Sequence, residues 1–211
     1  VEELMEIPKL SDQLSIIYRK KPIGADIFFK KLMQKPLRLI GEVSRESGLD
    51  DIKFILEDDI SEYLKEDPFY LLWISDMAEV SKIFCDTLKS KTVDFCLSTG
   101  RGCRRYHIDN VPMRLLVTYA GEGTEWIPDE AADRKAWAIG ASNDKIIKDP
   151  SKRQFMKAWD ISIFKGGPKG LLHRTPDAAL NKPSILLRLD HASYWDKILK
   201  QQGNLKLIEI L

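Results

Sequence analysis

The hydrophobic pattern of the chain changes its period near residue 90. Before that point, apolar residues recur every three to five positions, which is typical of amphipathic helices. The clearest helix is DPFYLLWISDMAEVSKIFCDTLKS, in which Asp67 can cap the first free amides and Pro68 takes the first helical position. Shorter helices are predicted at SDQLSIIYRK, ADIFFKKLMQ and DDIKFILE. We therefore expect residues 1–90 to form a helical region that packs on the rest of the chain.

After residue 90 the apolar residues form short runs that alternate with polar positions, as in β-strands. The runs are VDFCLS, RRYHID, PMRLLVTYA, WAIGA, WDISIF, GLLHRT and PSILLRLD, with turn signals at STGRG, GEGT and KGGPKG. Many short strands with glycine-rich turns indicate an antiparallel barrel or sandwich over residues 91–211. A helix at HASYWDKILKQQ, ending at Gly203, and a last strand at NLKLIEIL complete the predicted α+β fold.

Composition gives no support to some classes of partner. The 211 residues are 44% apolar, which is enough for a sizeable core, and the net charge of +1 gives no overall field that would attract nucleic acid or a membrane. No apolar run reaches the roughly 20 residues that a spanning helix needs. The three cysteines show no CxxC spacing, so we expect a cytoplasmic protein without a disulfide framework. The pattern does not specify an oligomeric state.

Candidate chemistry lies in CRRYHIDN, because the chain has only three histidines. His107 and Asp109 are two residues apart, so on a strand their side chains would share one face. His173 follows on a later predicted strand. Two imidazoles and one carboxylate form the facial triad that binds Fe(II) and leaves coordination positions open. The alternative is a hydrogen-bonded His–Asp pair at a strand end. The third histidine, His191, is expected at the surface, with Asp190 capping the next helix.

Arginines near this set are candidates for binding an anion. Arg188 lies on the predicted strand PSILLRLD, where an inward guanidinium would need a partner such as a bidentate carboxylate. Arg114 on PMRLLVTYA is a rival for the same role. Either arginine could instead pair with a structural acid.

Other residues are candidates for contacting a substrate or supporting the ligands. Strand alternation places Arg105 on the face of His107, and Tyr106 and Arg174 each adjoin a candidate ligand. Trp126 in the GTEW turn could line a pocket mouth. Cys103 is too far along an extended strand to ligate directly beside His107.

The ordered set HxD…H followed by an arginine resembles the double-stranded β-helix of the Fe(II)/2-oxoglutarate-dependent oxygenases. This resemblance implies a jelly-roll, cupin-like core with a helical N-terminal layer. It also implies that His107, Asp109 and His173 hold iron, that Arg188 binds the distal carboxylate of 2-oxoglutarate, and that the protein hydroxylates a substrate. The sequence does not specify that substrate.

A closer resemblance is to the bacterial domain-of-unknown-function family 1826, and it rests on CRRYHIDN, PMRLLVTYAGEGTEWIPDEAADR and HRTP in this order. It implies a link to zinc homeostasis. A non-catalytic zinc protein of the same fold, with Cys103 or His191 completing a closed site, is therefore the alternative. A third hypothesis is a binding module in which the triad is accidental. Residues 125–158 depart from the oxygenase pattern as a long polar insertion, either a substrate lid or a surface loop.

Overall fold

The computed structural model describes residues 13–192, which form antiparallel sheets and several helices. The strands are β1 (Leu14–Ile17), β2 (Arg38–Ser44), β3 (Thr92–Ser98), β4 (Met113–Ala120), β5 (Glu125–Ile127), β6 (Gln154–Phe155), β7 (Ile161–Lys165), β8 (Leu172–Arg174) and β9 (Ile185–His191). The helices are α1 (Ala25–Leu32), α2 (Gly48–Leu56), α3 (Glu62–Lys65), α4 (Pro68–Leu88), α5 (Arg134–Ala138), α6 (Asn143–Ile146) and α7 (Asp177–Leu180). The prediction of a mixed fold with antiparallel sheets is confirmed.

A six-stranded sheet with the order β1-β7-β4-β9-β3-β2 forms the centre of the molecule. One of its faces carries fully buried apolar side chains, including Phe95, Val117 and Leu189, that pack with the helical layer around Trp73 and Met77. The opposite face is turned towards a three-stranded sheet with the order β6-β5-β8. The candidate ligands His107, Asp109 and His173 lie between these two sheets.

The predicted helices α1, α2 and α4 are confirmed. The Asp67 side chain accepts a hydrogen bond from the Phe69 amide at 3.0 Å, as expected for the cap of α4. None of the helices in the described part of the chain is both long and apolar enough to cross a bilayer.

The pattern predicted a helical region before residue 90, but this region also contains two strands. The segment SDQLSIIYRK contains strand β1, which pairs with the edge of β7, so the helix predicted there is wrong. Strand β2 was not predicted, and it pairs along its whole length with β3. Partners distant in sequence decide both strands, because a short segment takes the conformation that its neighbours can hydrogen-bond.

Two predicted strands after residue 90 are also wrong. RRYHID contributes only one isolated bridge, at His107, and WAIGA contains the end of α5 followed by a turn at Gly140 with φ of +83°. Asp133 caps α5 by accepting from the Ala136 amide at 2.9 Å, which favours a helix there over a strand. The helix predicted to end at Gly203 and the strand NLKLIEIL lie outside the described residues.

The polar insertion at residues 125–158 is neither a simple lid nor a simple surface loop. It supplies β5 and β6 to the small sheet. Its apolar residues form a small cluster with the small sheet and with the segment before His107. The buried members are Tyr106, Ile127, Ala132, Ile146 and Leu172. The insertion therefore supports one wall of the space between the sheets.

Candidate metal centre

His107, Asp109 and His173 come together between the two sheets. Their potential ligand atoms all lie within 4.8 Å of one another. The Nε2 atom of His107 is 3.7 Å from Oδ1 of Asp109, and Nε2 of His173 is 3.3 Å from Oδ2 of the same carboxylate. The three residues predicted from the sequence therefore form one cluster.

Backbone hydrogen bonds hold the two histidines side by side. The His107 amide donates to the His173 carbonyl at 3.0 Å, and the His173 amide donates back at 3.1 Å. Each Nδ1 lies 3.0 Å from the carbonyl two residues earlier, that of Arg105 or Leu171. When each Nδ1–H donates to its carbonyl, each Nε2 keeps a lone pair turned towards Asp109, as metal-binding histidines require.

A buried arginine orients the Asp109 carboxylate. Nη1 of Arg114 is 2.6 Å from Oδ1 of Asp109. Burial raises the pKa of Asp109, but the facing imidazole of His173, the Arg114 guanidinium and His107 together lower it to about 2. Asp109 is therefore an anion at neutral pH.

The second carboxylate oxygen of Asp109 provides a test of metal fit. Oδ2 is buried, and its contact with Nε2 of His173 at 3.3 Å is not a hydrogen bond when that nitrogen carries its lone pair. A buried, ionised oxygen without a partner is unfavourable unless something else compensates its charge. With two imidazole lone pairs facing it, this atom fits a bound cation.

A cavity of about 160 Å³ opens beside this cluster. Both histidines line it, together with side chains from both sheets. These include Cys96, Arg101, Cys103, Arg114, Leu116, Arg174 and Arg188. The three candidate ligands therefore have protein on one side and open space on the other.

The two predicted anion-binding arginines differ in what they already contact. Arg114 donates through Nε and Nη2 to the two carboxylate oxygens of Asp190, at 2.7 and 2.9 Å, and its Nη1 pairs with Asp109. Arg188 makes one ion pair in the described chain, 3.2 Å from its Nε to Asp190, and its side chain is 36% exposed. Arg188 therefore retains the freedom to bind an anion, whereas Arg114 acts as a clamp between two carboxylates.

The helix that Asp190 was predicted to cap lies beyond the described residues. Asp190 lies inside β9 and is paired with Arg114 across the sheet. The alternation of the segment LLRLDH places Asp190 on the face of Arg188, and that spacing was a usable signal for its role.

Behind the candidate metal ligands lies a buried network that includes the predicted residues Tyr106 and Arg174 and an acid that was not predicted, Glu125. The Tyr106 hydroxyl donates to Oε1 of Glu125 at 2.5 Å, and Arg174 pairs with Oε2 at 2.8 Å. Burial and the Glu125 carboxylate raise the pKa of Tyr106 well above its ordinary value, so the hydroxyl keeps its proton. Because Tyr106 precedes His107 and Arg174 follows His173, Glu125 ties the two ligand segments together.

Of the four residues predicted to contact a substrate or support the ligands, three do not line the cavity. Arg105 is exposed and donates to the carbonyls of Gly140 and Trp137, so it holds the end of α5. The expected alternation fails there because residues 104–109 are not a regular strand. Trp126 is partly buried in an apolar cluster with Leu116 and does not line the cavity. Tyr106 also lies outside the cavity wall, whereas Arg174 lines it.

The candidate additional zinc ligands are not part of the cluster. The Cys103 thiol lines the cavity, and the neighbouring His107 imidazole lowers its pKa. Its sulfur is not part of the cluster formed by the ligand atoms of His107, Asp109 and His173. His191 also lies outside this group. It is next to Asp190 on β9, so its side chain points to the other face of the sheet.

Comparison with known proteins gives one family assignment. No curated protein matches the chain. The model of a family described as "Protein of unknown function (DUF1826)" matches residues 2–190, which is most of the sequence. The match includes the ligand segments CRRYHIDN and HRTP as well as the strand that carries Arg188. The chain therefore belongs to the DUF1826 family of proteins of unknown function.

Proposed function

We propose that this protein binds a single Fe(II) ion and acts as a 2-oxoglutarate-dependent oxygenase that hydroxylates its substrate. The observation that carries the proposal is the cluster of His107, Asp109 and His173 beside an open cavity. Two histidines and one carboxylate on one side of an ion leave the remaining coordination positions for other ligands, which is the arrangement of non-haem iron oxygenases.

Each part of the cluster has a definable role towards the metal. The imidazoles of His107 and His173 would bind through Nε2, since their Nδ1 atoms face backbone carbonyls. Asp109 would bind through Oδ2, since Oδ1 is held by Arg114. Bound Fe(II) would supply the activation of dioxygen, with 2-oxoglutarate as the reductant. The protein would orient both and keep bulk water away.

The order of the strands supports a jelly-roll, cupin-like core. After β3 in the large sheet, the His107 segment bridges to β8 in the small sheet, and β4 returns to the large sheet. Strands β5 and β6 then lie in the small sheet, β7 in the large, β8 in the small and β9 in the large. This repeated passage between two antiparallel sheets is the pattern of a double-stranded β-helix, a fold that includes the cupins.

The position of Arg188 supports a carboxylate co-substrate. It lies on the last strand of the large sheet, on the face that bears Arg114, and lines the metal cavity. Its terminal nitrogens have no ion-pair partner among the described residues. A guanidinium of this kind binds a carboxylate in bidentate geometry, as 2-oxoglutarate would require.

The alternative is a non-catalytic zinc protein, and Cys103 is the observation that favours it. Its thiol lines the cavity beside His107, and thiolate is a preferred ligand of zinc. A fourth protein ligand would close the site, as in structural zinc centres. The grouping of three ligand atoms without the sulfur favours the open, catalytic arrangement.

An anaerobic titration of metal-free protein with Fe(II), with and without 2-oxoglutarate, tests the proposal. We expect a metal-to-co-substrate charge-transfer band at one equivalent of iron, and we expect His107→Ala to abolish it. Arg188→Gln should leave iron binding intact and weaken 2-oxoglutarate binding about tenfold, because it removes one charged bidentate contact.

The matched control is His191→Ala, which removes the histidine that lies outside the cluster and should leave the band unchanged. Absence of the band in the wild-type protein, together with tight stoichiometric zinc, would replace the oxygenase by the zinc alternative. Unchanged metal content in a variant lacking both His107 and His173 would eliminate both.

A further inference from the structure

A second cleft adjoins the metal cavity and shares one wall with it. The shared residues include Cys96, Arg101 and Arg188, and the cleft extends along the edge strand β2 to Pro36 and Arg38. Its volume is about 610 Å³, compared with about 160 Å³ for the metal cavity. The smaller cavity suits a molecule of the size of a co-substrate, and the adjoining cleft is where a second small molecule can approach the metal.

The wall of this cleft is positively charged. Its charged lining residues are Arg38, Arg101 and Arg188, with no acidic side chain in its described lining. The register of the large sheet places two of them on one face, because Arg38 is opposite Ser98 and Arg188 is opposite Cys96 on β3. This local charge contrasts with a chain whose net charge is only +1.

Arg101 is a largely buried cation whose described contacts are neutral. Its Nη1 donates to the Glu122 carbonyl at 2.5 Å, and its Nη2 donates to Oγ1 of Thr124 at 2.6 Å. Its Nε is buried without a hydrogen-bond partner in the described chain. Burial lowers the pKa of Arg101 to about 10, and the neighbouring Cys103 thiol acts in the opposite direction.

A buried cation is unfavourable without an opposite charge. The neutral partners of Arg101 hold its guanidinium in place and take one N–H of each terminal nitrogen, so the second N–H of each remains for a ligand. Arg38 is exposed on the same wall and has no ion pair among the described residues, so it can move to meet an anion. A carboxylate or phosphate group would satisfy both arginines.

We propose that the cleft binds an anionic group of the small-molecule substrate, a carboxylate or a phosphate, through Arg101 and Arg38. That the bound molecule is a substrate rests on the proposed function, since it places the molecule beside the metal cavity. The anion site itself does not depend on the identity of the metal.

Nuclear magnetic resonance of the ¹⁵N-labelled full chain tests this proposal directly. Inorganic phosphate and acetate are titrated separately at constant ionic strength, and the arginine Nε–H signals are followed. We expect a saturable shift of the Arg101 signal with at least one of the two anions, and the tighter binder identifies the chemistry. Arg101→Gln should raise the dissociation constant about tenfold and Arg38→Gln about threefold, because each removes a charged contact.

The matched control is Arg45→Gln, which changes a partly exposed arginine that is paired with Asp86 outside the cleft and should leave the dissociation constant within about twofold. Arg101→Lys keeps the charge and should retain most of the binding. If circular dichroism shows that Arg101→Gln does not fold, the dissociation constant of the Arg38→Gln variant decides the test, because Arg38 is exposed. The proposal is overturned if neither anion gives a saturable shift, if the shift is confined to Arg188, or if the deciding variant binds like the wild type.

The outcome is independent of the iron titration. If the charge-transfer band is absent but the anion binds, the oxygenase proposal is rejected and the anion site is retained. Normal binding of iron and 2-oxoglutarate without an anion site would remove only the present inference.

Discussion

Single buried side chains hold the segments that carry the candidate metal ligands. Glu125 is almost fully buried, between the Tyr106 hydroxyl and the Arg174 guanidinium. A buried carboxylate is stable there because its charge is paired and both oxygens accept hydrogen bonds or ion pairs. The same contacts fix the backbone next to both histidines, since Tyr106 and Arg174 are their immediate neighbours. Stability and ligand geometry therefore depend on one acid.

Replacing this acid tests both effects. Glu125→Gln leaves the buried Arg174 without its closest counter-charge, so we expect the free energy of unfolding to fall by about 3 kcal/mol. We also expect metal affinity to fall about tenfold, as for other residues that orient metal ligands. Urea denaturation of metal-free protein and a metal titration of the folded variant measure the two effects separately.

Asp177→Asn is the matched control, because Asp177 is the other acidic partner of Arg174 but is exposed. It should cost less than about 1 kcal/mol and leave metal affinity unchanged. Equal effects of the two substitutions would contradict the positioning role of Glu125.

Helices and strands are joined at their ends by specific side chains, as Asp51 shows. This residue lies in the first turn of α2 and accepts hydrogen bonds from the Ser44 amide at 2.8 Å and the Ser44 hydroxyl at 2.7 Å. The Ser47 hydroxyl adds a longer contact at 3.2 Å. The end of β2 is thereby attached to the start of α2, which holds the helical layer against the sheet.

This attachment makes a pH-dependent contribution to stability. Burial raises the pKa of Asp51, but the hydrogen bonds from Ser44 and Ser47 lower it below its ordinary value of 3.8. A folded-state pKa below the unfolded value stabilises the protein above the unfolded pKa, and the contribution is lost as pH falls through the folded pKa. Asp51→Asn should therefore lower the free energy of unfolding by about 1 kcal/mol at pH 7, because hydrogen bonds to a charged acceptor are the stronger ones.

The measurement is denaturant unfolding of both proteins from about pH 7 down to about pH 2, where the difference should shrink towards zero. The neighbouring Asp50→Asn, at an exposed position, should show a smaller effect. A difference between wild type and Asp51→Asn that does not change with pH would contradict this assignment.

The large sheet organises the whole molecule, with the helical layer on one face and the cavity beside the candidate metal ligands on the other. Pairing between β2 and β3 and between β1 and β7 joins segments from both sides of residue 90. The division into residues 1–90 and 91–211 remains a prediction, but the shared sheet argues that the two parts fold together.

Unfolding of the intact chain should therefore be a single cooperative transition. We expect far-ultraviolet circular dichroism and tryptophan fluorescence to give coincident urea curves, because Trp73 reports on the core that both parts build. The cavity face of the sheet is followed by titrating anion or metal at a series of fixed urea concentrations. The fraction of protein that binds should fall along the same urea curve. Two separated transitions would show that the parts fold independently.

Local patterns were sufficient for the features whose causes are local. The periodicity and the Asp67–Pro68 start predicted α4, because a helix satisfies its hydrogen bonds within its own segment. The spacing of His107 and Asp109 and the scarcity of histidine identified the cluster that the structure brings together. The family match covers most of the chain, while oxygenase activity remains a proposal.

Tertiary contacts decided the rest. Strands β1 and β2 form because of partners far away in sequence. The register of the large sheet places Asp190 next to both Arg114 and Arg188. Arg114 is therefore held between two carboxylates, whereas Arg188 contacts Asp190 through Nε. Two buried charges form an ion pair when the fold brings them close together. The alternation along a strand predicts which face of the sheet a side chain lies on, but it does not predict which side chain lies beside it.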